Sequence, residues 1–180
     1  MTNPKIILLT GEIESGKTNL CLEIAELARE SGIKVAGLVS PAVFDCGAKT
    51  AIDVQDLLTG ERHRLAELRD VAETKLETKR WSFFPEIVSW GNQVLQRAIP
   101  CDLLIIDELG PLEFNRAQGW FEAFKVIETG KFQVAFLVIR PSLVQQASSR
   151  WDITRVIDLP GSDHKAPSGQ ELLAGFHIQP

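Results

Sequence analysis

Gly11 to Thr18 read GEIESGKT, a stretch that fits the pattern G-x-x-x-x-G-K-[ST]. Each fixed position suits the holding of anionic oxygen. Gly11 lets the chain turn sharply off a strand, and Gly16 permits a close approach that a side chain would block. Between them the backbone N–H groups of Glu12, Ile13, Glu14 and Ser15 can converge on one concavity, a nest for phosphate. A helix opening at Thr18 brings its positive dipole end to the same place. Lys17 can reach β- and γ-phosphates as a point charge, and the Thr18 hydroxyl can ligate Mg²⁺. A plain strand-to-helix turn would need the two glycines but not Lys-Thr behind them. Glu12 and Glu14 carry charge that opposes a triphosphate unless both face solvent, and a loop that binds through its backbone leaves them free to do so.

A second constellation lies in CDLLIIDELGPLEF. An apolar strand that ends in an acid delivers the carboxylate to the carboxyl edge of a sheet, where open α/β sheets bind ligands. Asp107, after Ile106, is the natural second holder, through water, of the Mg²⁺ on Thr18. Glu108 faces another way and can orient or deprotonate a water aimed at the γ-phosphorus. Alone, such a pair is a loop cap; beside a phosphate loop it reads as catalytic. Asp107 to Gly110 also fits D-x-x-G, a phosphate-sensing turn, but the chain has no N/T-K-x-D guanine motif, which makes a guanine-specific switch the weaker reading. Arg140 follows another apolar run and should emerge at the same edge. There it either neutralises charge on the γ-phosphate, as an arginine finger in cis, or pairs with a neighbouring acid. Trp81, Phe83, Trp90, Trp120 and Trp151 could stack on a base but suit a core better. Arg116, Arg150 and Arg155 read as surface or structural, and His63, after a turn, as an exposed hairpin residue.

These residues need a scaffold of alternating strands and helices. KIILLT at 5–10 is apolar on both faces, as a strand inside a parallel sheet must be. Leu20, Ile24, Leu27 and Ala28 recur at helical spacing over Thr18 to Glu30, with Gly32 as a stop. A second strand runs from Lys34 to Ser40. AIDVQDLL and RHRLA flank the turn Thr59-Gly60-Glu61, so a β-hairpin is predicted within 42–66. Glu67 to Arg80 holds eight charged residues in fourteen and reads as a solvated helix or loop. Strands are predicted at 81–84, 103–106, 132–139 and 153–159, the last peripheral. Helices are predicted from Pro85 to about Ala98, from Arg116 to Glu128 and from Ser142 to about Ser149. The tail 161–180, rich in Gly, Pro and Ser, has at best a helical turn around Glu171 to Ala174. The expected whole is one α/β domain over 1–180, a mostly parallel sheet with helices on both faces.

The chain has 180 residues, 44% apolar and 24% charged, enough to bury a core without staples. With 19 basic against 24 acidic residues, its net charge of −5 gives no footprint for nucleic acid or an anionic membrane. The longest apolar run, Val134 to Ile139, falls far short of the roughly 20 residues that span a bilayer. MTNPKIILLTGE lacks the h-region and cleavage site of a signal peptide and reads as a cytoplasmic start. Cys21, Cys46 and Cys101 form no CxxC pair and have no nearby histidine spacing, so they read as reduced thiols rather than a zinc or disulfide framework.

With GEIESGKT first, LTGERHRLA next and IIDELGPLEF third, the chain resembles the small nucleoside-triphosphatase family, which includes thermophile nucleoside phosphohydrolases and the cancer-related nucleoside triphosphatase. The matching blocks cover roughly residues 5 to 160. The resemblance implies a RecA-like P-loop core and Mg²⁺-dependent hydrolysis of NTP to NDP with loose choice of base. It assigns phosphate binding to Gly11 through Thr18 and a second nucleotide-contacting stretch to Ile106, Asp107, Glu108 and Gly110. Two other readings fit the same motifs. One is a small nucleoside or cofactor kinase, although Arg69, Lys75, Lys79 and Arg80, mixed among acids, make a poor lid. The other is an NTP-gated interaction module that turns over slowly. Base preference, protein partners and oligomeric state are not encoded in these patterns.

Overall fold

A computed structural model describes residues 3–68, 81–159, 167–176 and 178. The strands are β1 (Lys5–Gly11), β2 (Val35–Val39), β3 (Ala42–Asp45), β4 (Ala48–Asp56), β5 (Arg62–Leu68), β6 (Trp81–Phe83), β7 (Leu103–Leu109), β8 (Val134–Ile139) and β9 (Ile153–Leu159). The helices are α1 (Lys17–Glu30), α2 (Pro85–Arg97), α3 (Pro111–Arg116), α4 (Glu122–Thr129), α5 (Val144–Arg150) and α6 (Gly169–Phe176). One sheet runs in the order β6-β5-β4-β2-β7-β8-β1-β9, with β3 paired to β4. From β2 to β9 all neighbours are parallel, and from β2 through β4 and β5 to β6 they are antiparallel.

Alternation along β1 explains its unbroken apolar run. Ile6 and Leu8 face one layer, shared with α2, α4 and α5, while Ile7 and Leu9 face the other, shared with α1 and α6. Successive strand residues point to opposite faces, so a strand covered on both sides must be apolar throughout. The same holds for β7 and β8, where Leu103 to Ile106 and Val134 to Ile139 are all buried.

Three expectations need correction. The 42–66 hairpin is larger than foreseen: β3, β4 and β5 join the main sheet through β4 and β2, and β6 adds a further strand. No helix runs from Arg116 to Glu128. The short α3 ends at Arg116, Ala117 and Gly119 take left-handed φ values of 49° and 66°, and α4 starts only at Glu122. The buried apolar spacing of Ala123, Val126 and Ile127 belongs to α4 alone, and Glu113 holds the turn between the two helices by accepting the Trp120 N–H at 2.9 Å. In the tail, α6 has two turns and seats Leu172 and Phe176 in the core against the α1 layer. Its start is a capping box: Ser168 N–H donates to Glu171 Oε2 at 2.9 Å, and Glu171 N–H to Ser168 Oγ at 3.3 Å. The charged stretch predicted over Glu67 to Arg80 starts inside β5, and its residues 69–80 lie outside the described residues, as do 160–166.

Among the described residues no helix is long and apolar enough to cross a membrane. All three cysteines are free, with Cys21 and Cys101 buried. Burial pushes both buried thiols up, Cys101 to about 12, so they act as packing groups.

Candidate active site

The loop between β1 and α1 starts with Gly11 at φ 137°, where a Cβ would come within 2.6 Å of the Leu159 carbonyl oxygen on β9. Gly16 stands directly before α1 at φ 87°, and a Cβ there would meet nothing within 4 Å. One glycine is demanded by close packing and the other by backbone conformation alone, with open space in front of it. Glu12, Ile13 and Glu14 are exposed. Ser15 N–H donates to the Glu12 carbonyl at 3.2 Å and tightens the loop. Lys17 Nζ lies inside this ring, donating to the carbonyl oxygens of Gly11 at 2.9 Å and Glu12 at 2.6 Å and to Ser15 Oγ at 3.0 Å.

Strand order brings the other groups to this loop. β8 lies between β1 and β7, so the carboxyl ends of the three strands stand side by side. They carry the glycine loop, Arg140, and the pair Asp107-Glu108. Ile106 has its side chain fully buried in the core, so only its backbone faces the site edge. Asp107 is 3% exposed. Burial raises its carboxyl to about 6, Glu108 adds to the rise, and the Thr18 hydroxyl, the Ser40 N–H and Lys17 oppose it. Glu108 faces away from that nest of donors. Its Oε1 accepts from Arg140 Nε at 2.5 Å. Arg140 stands at the expected sheet edge, and of the two roles foreseen for it there the structure holds the bond to a neighbouring acid.

Two further residues build the site without having been singled out from the sequence. Ser40, just past β2, donates its N–H to Asp107 Oδ2 at 3.2 Å and its hydroxyl to the Asp107 carbonyl at 2.7 Å. Its sequence signal is a lone hydroxyl residue where an apolar strand meets proline. Glu113 accepts N–H groups from Gly110 at 2.7 Å and Trp120 at 2.9 Å. Burial raises its carboxyl to about 7 despite those bonds. The signal was G-P-x-E, a proline at the first helical position and an acid at the third. Because Glu113 takes the Gly110 N–H, that donor is engaged within the turn rather than presented to a phosphate.

The aromatic and basic residues with weaker claims separate clearly. Trp120 and Trp151 are buried in the core, and Trp81, Phe83 and Trp90 pack against it. His63 bonds Glu61 at 2.8 Å and rests edge-on against Trp90, far along the antiparallel wing. Arg150 pairs with Glu128 and lies over Phe124.

The donor set can be tested for a cation. The Thr18 hydroxyl is close enough to the Asp107 carboxyl to favour its charged form, so two hard oxygen donors share the mouth of the loop. That is the chemistry Mg²⁺ prefers, with few protein ligands and the remaining positions left to water and phosphate. Among the described residues no three His, Cys, Asp or Glu gather as a metal cluster.

A family model described as NTPase matches residues 6–159. The chain belongs to this NTPase family, and the resemblance drawn from the motif blocks is borne out. It is 33% identical over 133 residues to the nucleoside-triphosphatase THEP1 of Methanocaldococcus jannaschii, covering 73% of this chain and 76% of that protein. It is 27% identical over 157 residues to the namesake from Methanopyrus kandleri, covering 84% and 85%. The crystal structure of THEP1 from Aquifex aeolicus shares the fold at a TM-score of 0.70 and 16% identity, covering 96% of this chain and 99% of that one. The solution structure of a human cancer-related nucleoside triphosphatase does so at 0.67 and 21%, covering 88% and 90%.

Proposed function

We propose that this chain is a Mg²⁺-dependent nucleoside-triphosphatase that cleaves the β–γ bond of ATP, GTP and other NTPs, releasing NDP and phosphate. The observation that carries the reading is a glycine loop that surrounds Lys17 at the same sheet edge as the buried Asp107. In this reading the site is a P-loop on a RecA-like core. Backbone N–H groups from Gly11 to Thr18 cradle the phosphates, and Lys17 exchanges its carbonyl partners for β- and γ-phosphate oxygens. Thr18 and Asp107 hold the ion, which when bound screens the phosphate charge. Glu108 orients the attacking water, and Arg140 takes up charge on the departing γ-phosphoryl group. Ile106 and Gly110 shape the second nucleotide-facing stretch. A reducing, cytoplasmic setting suits its free cysteines.

The test is phosphate release from a panel of NTPs and NDPs, with and without Mg²⁺, for the natural chain and Glu108→Gln. NTPs should be hydrolysed only with the metal, and Glu108→Gln should bind nucleotide yet lose roughly 100-fold or more in turnover. Lys17→Ala should weaken binding of every triphosphate in the panel. Full turnover by Glu108→Gln removes that residue from the mechanism. A chain silent until a hydroxyl acceptor is added is a kinase instead.

A further inference from the structure

The proposed water-orienting acid and the proposed γ-phosphate cation are bonded to each other. Arg140 Nε donates to Glu108 Oε1 at 2.5 Å, with the two side chains 54% and 34% exposed. Among the described residues Arg140 engages no other partner, so its terminal guanidinium nitrogens have no protein acceptor. A planar fork with those donors open can grip a phosphate oxygen pair that a point charge cannot. Arg140 ends the strand that lies between the glycine loop and the acid pair, so it rises from the middle of the edge. The pair lies over Gly110, where a Cβ would be in van der Waals contact with Glu108 Oε1 at 3.6 Å and Arg140 Nε at 3.8 Å.

We propose that the Arg140–Glu108 pair reads the terminal phosphate, so that it sets the preference for triphosphate over diphosphate. The inference rests on the reading of the site given above. While the pair is closed, Arg140 engages one of the two Glu108 carboxylate oxygens and holds the side chain turned toward itself. A γ-phosphate competes for the guanidinium with more charge and more acceptor oxygens than one carboxylate. An ion pair this exposed is weak and yields to that competitor. Once Arg140 swings to the phosphate, Glu108 is free to take the water. A bound diphosphate offers nothing at that position, so the pair stays closed and Glu108 stays capped. The same exchange therefore couples recognition of substrate to release of the acid, and the pair closes again when phosphate departs.

Calorimetric titration with Mg²⁺ plus either a β,γ-imido triphosphate or the matching diphosphate tests this in the natural chain, Arg140→Ala, Arg140→Lys, Glu108→Gln and the Arg140→Ala/Glu108→Gln double variant. Arg140→Ala should lower triphosphate affinity about tenfold, with diphosphate affinity held within about twofold. Arg140→Lys should fall between, since it keeps charge but loses the fork. Glu108→Gln should raise triphosphate affinity about threefold because no ion pair has to open, and that gain should vanish in the double variant. Equal loss of both nucleotides in Arg140→Ala, an unchanged ratio, or a Glu108→Gln gain that persists without Arg140 overturns the proposal. Binding of neither nucleotide by the natural chain overturns the site reading itself, a different outcome from a flat ratio.

Discussion

Ser40 grips Asp107 at two points, its N–H on carboxylate Oδ2 at 3.2 Å and its hydroxyl on the backbone carbonyl at 2.7 Å. Ser40 directly follows β2 and Asp107 lies near the carboxyl end of the adjacent parallel strand β7, so their contact fixes the acid relative to the sheet edge. A carboxylate oriented by an outer partner holds a cation better than one left to turn. Ser40→Ala keeps the N–H bond but loses the hydroxyl bond, which should cost about 1 kcal/mol of stability. The Mg²⁺ concentration for half-maximal turnover should rise about tenfold while turnover at saturating Mg²⁺ changes less. Ser40→Thr should restore both. A Mg²⁺ titration beside urea denaturation checks this, and an unchanged Mg²⁺ dependence in Ser40→Ala would remove Ser40 from the site.

Gly11 and Gly16 should respond differently to alanine. At Gly11 the new Cβ lands 2.6 Å from the Leu159 carbonyl at a φ of 137°, so β1 and β9 must part. A loss of about 3 kcal/mol is expected, with nucleotide binding lost as a consequence. At Gly16 the Cβ meets nothing within 4 Å, and only the φ of 87° resists it. That costs about 1 kcal/mol and leaves the fold intact. The methyl would stand in the open space before the helix, so binding should still fall by about tenfold or more. Denaturation midpoints and calorimetric affinities for both variants separate a packing glycine from a binding one.

The contrast between those glycines shows where sequence patterns are informative. GEIESGKT and the apolar strands were readable because each is a local pattern with a local cause. Arg140 was readable as an edge residue because it follows Val134 to Ile139, yet its bond to Glu108 depends on β8 lying between β1 and β7, and strand order is not written in either segment. Ser40 stayed hidden for the same reason, since its partner lies 67 residues away. The continuous helix expected at 116–128 failed on Glu113, whose carboxylate stabilises a turn at Ala117 to Phe121 that apolar spacing alone does not reveal. In the tail, S-G-Q-E at 168–171 spells a capping box, and that local signal prevails over the glycine and proline content around it.

Glu113 should leave a signature in the pH dependence of stability. Its carboxyl is raised from 4.5 to about 7, first by burial and further by Glu108, against the pull of the Trp120 and Gly110 N–H groups. A raised acid binds its proton more tightly folded than unfolded. Its stabilising contribution is therefore complete below 4.5 and is lost as the pH climbs to about 7. For this buried group the loss is of order 3 kcal/mol. Glu113→Gln carries no charge at any pH, so that part of the slope should disappear. The variant also gives up one of two acceptor bonds and should start about 1 kcal/mol less stable at low pH. Urea denaturation from pH 5 to 8 without Mg²⁺ measures both. Asp107, raised to about 6, contributes a slope of the same sign that should survive in Glu113→Gln. A curve parallel to that of the natural chain across the window would show Glu113 to be charged throughout.

The tail helix should matter to stability well beyond its length. Phe176, 7% exposed, lies edge-on to Phe136 of β8 at 5.7 Å, and Leu172 beside it is 3% exposed. Two outer contacts hold the helix in place: Glu23 on α1 accepts the Gly169 N–H at 2.9 Å, and Lys5 Nζ donates to the Phe176 carbonyl at 2.9 Å. The helix thus closes the α1 face of the sheet directly behind the strand that presents Arg140. Phe176→Ala should cost about 3 kcal/mol through lost burial and the cavity left behind. In a chain of this size that lowers Tm by roughly 8 °C. Because the helix covers the core rather than the site edge, nucleotide affinity measured well below the new Tm should stay within about twofold of the natural value. A thermal melt unchanged by Phe176→Ala would mean that α1 and the sheet are already sealed without the tail. A large loss of affinity at low temperature would instead tie α6 to the phosphate loop through α1.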